Sequence, residues 1–245
     1  MRHLAAVLAL AAVVAGCGEK PEPQPLVVSA ASSLKEAFTG YGKSLRDPRF
    51  SFAGSDQLAA QIRQGVKPDV FAAANAKLPD ALYAEGLVEK PVAFATTSLV
   101  LAVPVSGGRL RHLVDAAHKG VKLAAGSPGV PVGDYTRAAL AGLGQTGKQI
   151  LANVKTEEPD VKGVIAKITA GVVDAGFVYA TDVKAAGGAL RPIPLGLGDK
   201  APPILYEAAV VKGAKHHDEA AAFVRGLVDG GGRDALASAG FLPAP

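Results

Sequence analysis

Three stretches of the chain repeat one arrangement: "SAASSLKEAF" from Ser29, "SFAGSDQLAAQI" from Ser51 and "AAGSPGVPVGDYTRAAL" from Ala124. In each, an apolar run ends in small and hydroxyl-bearing residues, and a helical pattern follows. A helix start leaves backbone N–H groups without partners, and the helix dipole adds partial positive charge there. Serine hydroxyls can donate beside those amides, and glycine or alanine lets a ligand approach the backbone. Several such ends meeting in a cleft would hold an oxyanion without any full positive charge. Taken singly, each stretch reads more simply as an ordinary N-cap.

Catalytic signatures are absent. The chain has no G-x-S-x-G, H-E-x-x-H or G-x-x-x-x-G-K-[ST] motif. Of its five histidines, His3 lies in an apolar leader, His112 and His118 on a polar helix face, and His216 and His217 beside Asp218. The His-His-Asp cluster could bind a metal, but it reads more simply as a solvated helix start. A hydrolase using Ser33 or Ser55 as nucleophile would need a base within hydrogen-bond reach, and no histidine falls near these strand ends. The expectation is a binding protein, not an enzyme, with no cofactor. Net charge is +4 from 26 Lys and Arg against 22 Asp and Glu, interspersed without like-charge runs. No basic stripe with interleaved aromatics occurs, so nucleic acid is not an expected partner.

The elements that must position these residues alternate along the chain. "PLVVSAA", "RFSFAGS", "PDVFAAA" and "TTSLVLAVP" read as strands. Helical patterns fall between them at "SLKEAFTGYGKSL", "DQLAAQIRQG" and "AKLPDALYAEGLV". The second half repeats the style. "RHLVDAAHKG", "DYTRAALAGLG" and "DVKGVIAKITAGVV" read as helices, the last with Val161, Val164, Ile165 and Ile168 facing inward. "VKLAAG", "DAGFVYATD", "RPIPLG" and "PPILYEAAVVKG" read as strands, and one or two helices close the chain from His217. Alternation of this kind implies an α/β fold with mostly parallel sheets covered by helices. Two such groups with two crossovers imply two lobes and a cleft, with ligands outside the carboxyl ends of strands. The expected bounds are 26–103 for the first part of lobe one, 104–194 for lobe two, 195–204 for the return crossover and 205–245 for the rest of lobe one.

Ahead of the lobes, "MRHLAAVLALAAVVAGC" has a basic Arg2 and an apolar run too short to span a bilayer. Residues 1–16 read as a signal peptide. The small residues before Cys17 resemble the bacterial lipobox, which implies cleavage before Cys17 and lipidation of its thiol. The alternative is a plain signal peptide with an incidental cysteine. Cys17 is the sole cysteine, so no disulfide forms within the chain. The polar, Pro-rich residues 17–25 would then be a spacer holding the lobes off a membrane surface.

From Val27 to Phe241 the chain resembles the periplasmic molybdate-binding proteins of ABC transporters, a type II solute-binding family. The likeness rests on "AASSLKEAF", "FAGSDQLAAQIRQGVKPDVFAAA", "SLVLAVP", "GSPGVPVGDYTRAAL" and "AGFVYATD". The resemblance implies a monomeric, extracytoplasmic protein that captures molybdate or tungstate for a permease, the metal being held only as its oxyanion. It places hydroxyl and amide donors at Ser33 and Ser55, amide donors at Val132 and Val161, and a phenol donor at Tyr179. The family usually carries alanine where Val132 stands, so the cleft is narrower here. It also carries a small polar residue where Asp56 stands. A carboxylate lining the cleft would repel a dianion and point to a different oxyanion or small anionic solute. One turned outward at its helix start would be favourable.

Overall fold

The computed structural model describes residues 25–198 and 204–245. The leader, Cys17 and the spacer as far as Gln24 lie outside the described residues. Strand β1 (Val27–Ala31) is buried along nearly its whole length by small apolar side chains. It pairs in parallel with β2 (Arg49–Ala53) and β3 (Val70–Ala73). A single 3-10 turn, Ser32–Leu34, leads from β1 into helix α1 (Lys35–Gly42). Helix α1 turns Ala37, Phe38 and Tyr41 inward, at the spacing of one helical face. Helix α2 (Ser55–Arg63) buries Leu58, Ala59 and Ile62 on the same logic. It is followed by Gly65 at φ +96°, a left-handed stop that suits glycine. Helix α3 (Lys77–Ala84) and strand β4 (Val92–Thr97) follow.

The run "TTSLVLAVP" is two strands, not one. Strand β4 joins the first sheet, and β5 (Leu99–Pro104) joins the second. The crossing falls at Ser98, upstream of the boundary expected at residue 103. A chain passing straight from one sheet to the next needs no turn residue, so uninterrupted β-forming residues conceal the break.

The second lobe comprises β6 (Leu123–Gly126), α4 (Pro131–Ala141), α5 (Gly144–Ala152), β7 (Val154–Glu158), α6 (Val161–Thr169), β8 (Ala175–Tyr179), α7 (Ala180–Ala185) and β9 (Leu190–Pro194). The helix expected at "RHLVDAAHKG" is only a 3-10 segment, Leu113–Ala117. Its polar end residues leave just Leu113 and Ala116 buried there. Three elements have no counterpart in the sequence reading. Helix α5 carries two glycines, strand β7 is mostly polar, and α7 is a six-residue helix. In α6, Val161, Val164 and Ile168 are buried, whereas Ile165 is half-buried at the edge of that face.

The chain then returns to the first sheet through β10 (Ile204–Val210), α8 (His217–Val228), α9 (Gly231–Ala239) and β11 (Leu242–Pro243). The sheet orders are β11-β4-β10-β3-β1-β2 and β7-β6-β8-β5-β9. Both sheets are mixed, where the alternation of elements predicted mostly parallel ones. Strand β10 enters from the other lobe and runs antiparallel to β3 and β4. Strand β5 does the same against β8 and β9. The two crossovers therefore set the antiparallel half of each sheet.

The cores differ. Lobe one holds an aromatic cluster of Phe38, Tyr41, Phe50, Phe94 and Phe223, with Phe38 and Phe223 edge to face at 5.3 Å. Lobe two is largely aliphatic, filled by Leu101, Leu123, Leu140, Ile150 and Val164 around Phe177. Its helix α4 starts hard against β6. A methyl at Gly133 would lie 2.2 Å from the Ser127 carbonyl oxygen and 2.4 Å from that of Gly126. The missing side chain lets the start of α4 sit directly on the end of the strand, at the mouth of the interlobe cleft.

Candidate anion-binding cleft

The five residues singled out for donors come together on the structure. Ser33 lies on the 3-10 turn after β1, and Ser55 is the first residue of α2. Val132 follows Pro131 at the start of α4, Val161 opens α6, and Tyr179 ends β8. All five line one cavity between the lobes. The lobes are closed over it: Ser33 is 5 % exposed, Ser55 2 % and Tyr179 1 %. The cavity volume is about 10 Å³, far below the roughly 300–1,000 Å³ usual for drug-sized ligands. The space suits only a very small guest.

No lysine or arginine among the described residues is on the lining. Attraction for an anion must come from neutral donors. Val132 and Val161 occupy the first turns of α4 and α6, where an amide has no acceptor within its own helix. Ser55 stands likewise at the start of α2, so three helix dipoles point at the cavity. The Ser55 hydroxyl oxygen accepts from the Ala74 amide at 3.1 Å, which leaves its own hydrogen free to donate. The Tyr179 hydroxyl is buried without a hydrogen-bond partner among the described residues. Such a group is costly unless something accepts from it, and an anion in this cavity would. Burial, above all, pushes the Tyr179 phenol well above its ordinary range, with the neighbouring Tyr206 adding to the shift, so it keeps its proton.

Val132 lines the cavity but turns one methyl away from it. Its side chain packs towards Gly126, where an added methyl would lie 2.6 Å from Val132 Cγ1. That glycine makes room for the valine. Ser32, Gly54 and Asp160 also line the cavity. Asp160 caps α6, accepting from the Gly163 amide at 3.0 Å, so its carboxylate is turned to its own helix. An Asp-before-helix signature could have been read at this position; the sequence reading passed over it.

Asp56 is off the lining. It is not free in water either: it is half-buried, and its Oδ1 has no partner among the described residues. Desolvation raises its carboxyl above the ordinary range, opposed by the amides of Asp56 and Gln57 and reinforced by Asp134 and Asp160 across the cleft. Asp56 lies in the first turn of α2 and accepts from backbone amides there, as the helix-start reading expected, but it is half-buried between the lobes and not turned out to solvent.

A second buried carboxylate was not foreseen. Asp182, on α7, is fully buried and accepts from the Tyr179 amide at 3.3 Å. Lys162 Nζ lies 3.3 Å from Asp182 and 3.0 Å from Glu36 of lobe one, so one ammonium spans the lobes. Burial drives the Asp182 carboxyl up to about 7, against the pull of Lys162. The histidine cluster divides. His216 pairs with Asp69 at 3.1 Å and His217 with Glu89 at 3.0 Å. No group of metal-ligating side chains occurs among the described residues.

Two outcomes follow from this geometry. The folded chain holds a proton on Asp182 that the unfolded chain has already released between about pH 4 and pH about 7. That stabilisation is complete below the window and lost as pH rises through it. Asp182→Asn is expected to flatten this fall, read as urea-denaturation midpoints across the window; parallel curves for the two proteins would contradict it. Gly54 gives the second. A methyl there would sit 2.5 Å from the Pro159 carbonyl oxygen of the other lobe, although φ −60° and ψ 136° suit any residue. Gly54→Ala is expected to leave the unliganded protein as stable as before and to weaken anion binding by about tenfold. Calorimetric titration with oxyanions checks it, and unchanged affinity would show that closure does not need the bare backbone.

Comparison with known proteins agrees with this architecture. The description of bacterial extracellular solute-binding proteins matches residues 26–242. The molybdate-binding protein ModA of Mycobacterium tuberculosis is 31 % identical over 228 residues, which cover 88 % of this chain and 84 % of that protein. Among solved structures, the periplasmic molybdate-binding protein of Azotobacter vinelandii superposes with a TM-score of 0.77 at 20 % identity, over 90 % of this chain and 99 % of that one. The sulfate-binding protein SubI of M. tuberculosis gives 0.78 at 16 % identity, over 91 % and 88 %. The fold is thus common to proteins named for different oxyanions. The chain belongs to the bacterial extracellular solute-binding protein family.

Proposed function

We propose that this protein captures molybdate or tungstate outside the cytoplasm and hands it to the permease of an ABC importer. The observation that carries the reading is the closed interlobe cavity lined by neutral donors from both lobes, with the Tyr179 hydroxyl buried and unpartnered in its wall. Ser33, Ser55 and Tyr179 would give hydroxyl donors, and Val132 and Val161 amide donors. Each bond to a charged oxygen strengthens in a dry, low-dielectric site. The molybdate-binding relative at 31 % identity supports this choice of ion. The alternative of another oxyanion drew its support from Asp56, and that support falls away with Asp56 off the lining. The hydrolase alternative gains no support here: among the described residues the Ser33 and Ser55 oxygens meet a tyrosine hydroxyl and a backbone amide, and no histidine.

Selectivity among tetrahedral dianions of like charge would follow from cavity size. Titration calorimetry of the mature domain is expected to show tight molybdate binding and weak sulfate binding. Equal affinity for the two would sink the reading. Ser33→Ala should cost about 1.5–3 kcal/mol of binding, the worth of one hydrogen bond to a charged group, with the fold retained by circular dichroism.

The reading includes an anchor at Cys17. No described helix is long and apolar enough to cross a membrane, and a multiply acylated cysteine would hold the lobes at a surface stably. Cys17→Ser is expected to move the protein from the membrane fraction to the soluble fraction. An unchanged distribution would remove the anchor from the proposal.

A further inference from the structure

Tyr206 lies on β10 and is fully buried, outside the cavity lining. Its hydroxyl is 3.0 Å from Ser33 Oγ, across 173 residues of sequence. Its ring is walled on three sides. Phe241 packs at 5.1 Å, Phe94 at 6.1 Å and Tyr179 at 6.0 Å, all edge to face. The Tyr179 contact crosses between the lobes, so Tyr206 touches two of the candidate donors at once.

The hydrogen bond between Tyr206 and Ser33 can run either way, and the two directions have opposite consequences. If Ser33 donates, its lone pairs face the cavity and would repel an anion. The phenolic hydrogen is then left without the acceptor that the buried site offers it. If Tyr206 donates, its hydrogen is satisfied and Ser33 accepts. The serine hydrogen is then free to point into the cavity. Only the second direction satisfies every group when an anion is present. Burial raises the phenol well above its ordinary range, while the bond to Ser33 opposes that shift. Tyr206 therefore keeps its proton, and so can donate, throughout the physiological range. Ser55 receives the same treatment from a backbone donor, the Ala74 amide.

We propose that Tyr206 is a positioning residue for anion binding, fixing Ser33 as a donor by hydrogen-bonding to its oxygen. The inference rests on the oxyanion reading of the cleft, though not on which oxyanion is bound. The parallel with Ser55 sharpens it. Both serines are turned into one-way donors by a second donor behind them, but only the one behind Ser33 is a side chain that substitution can remove.

The test is a double-mutant cycle of Tyr206→Phe and Ser33→Ala, read by calorimetric titration with molybdate, tungstate and sulfate. Tyr206→Phe keeps the ring and its aromatic contacts. It is expected to weaken binding about tenfold when Ser33 is present, the low end for one oriented bond to a charged group. In the Ser33→Ala background the same substitution is expected to change affinity less than about twofold. Equal losses in both backgrounds would mean that the hydroxyl acts through packing and would overturn the proposal, as would no loss in either. A preference for sulfate would refute the molybdate reading while leaving the cycle to be read with sulfate. Failure of the wild-type protein to bind any of the three would overturn both. A crystal structure of the anion-bound wild type gives a second readout that needs no variant. Ser33 Oγ must lie within about 3 Å of both Tyr206 Oη and an anion oxygen; a Ser33 turned away from Tyr206 would refute the assignment.

Discussion

The constraint on which the rest of this structure depends is that no lysine or arginine among the described residues lines the cavity; Lys162, next to Val161, is off the lining and paired with Glu36 and Asp182. An anion held there must be stabilised by oriented dipoles, each of them weak in water and stronger once water is excluded. One helix start or one hydroxyl is insufficient. Several must converge from segments far apart in the chain, and the site must close. The two-lobed architecture meets both needs. Its strands end in small residues so that backbone amides can approach, and its helices begin at those ends. The closed lobes keep Ser33, Ser55, Val132, Val161 and Tyr179 almost wholly from solvent.

Much of this could be read from the sequence, and the reasons are local. Ser33, Ser55 and Val132 follow apolar runs that end in small residues, and such an ending before a helical pattern has a direct physical meaning. The alternation of strands and helices gave the α/β class and the two lobes. What was not legible depends on contacts between distant residues. Tyr206 meets Ser33 across 173 positions, and no spacing rule links them. Asp182, buried, and Lys162, part-exposed, pair only once α6 and α7 have each packed against β8. The split of "TTSLVLAVP" at Ser98 and the mixed character of the sheets both arise from the crossovers, which a local pattern does not encode. Helix α5 went unread because Gly144 and Gly147 weaken its helical signature. Yet Gly147 is there for packing: a methyl on it would lie 1.8 Å from the Leu140 carbonyl oxygen.

Compensation between neighbours accounts for the departures from the family's pattern. Valine in place of the usual alanine at position 132 would narrow the cleft if its side chain turned inward. Its Cγ1 packs on Gly126 instead, and on the proposed reading only its amide meets the ion. Asp56 would oppose an anion if it lined the cavity. Placed at the rim, it faces Asp134 and Asp160 of the other lobe, and its carboxyl is held above the ordinary range. Asp134 and Asp160 repel Asp56 across the cleft, whereas the Lys162–Glu36 pair attracts across it. On the proposed reading these opposed contacts bear on the balance between open and closed.

That balance bears on release. On the proposed reading the donors are divided, with Ser33 and Ser55 on lobe one and Val132, Val161 and Tyr179 on lobe two. Opening the cleft withdraws one set from the ion as a group and admits water to the other. Hydrogen bonds strong in the dry cavity then compete with solvent and lose most of their advantage. A fixed ammonium or guanidinium in the cavity would attract the ion at longer range and would hold it through the opening. Neutral donors shared across a hinge give tight capture in the closed form and weak retention in the open one. A carrier that must surrender its ion to a permease needs that difference in affinity between its two states more than it needs the highest affinity in either.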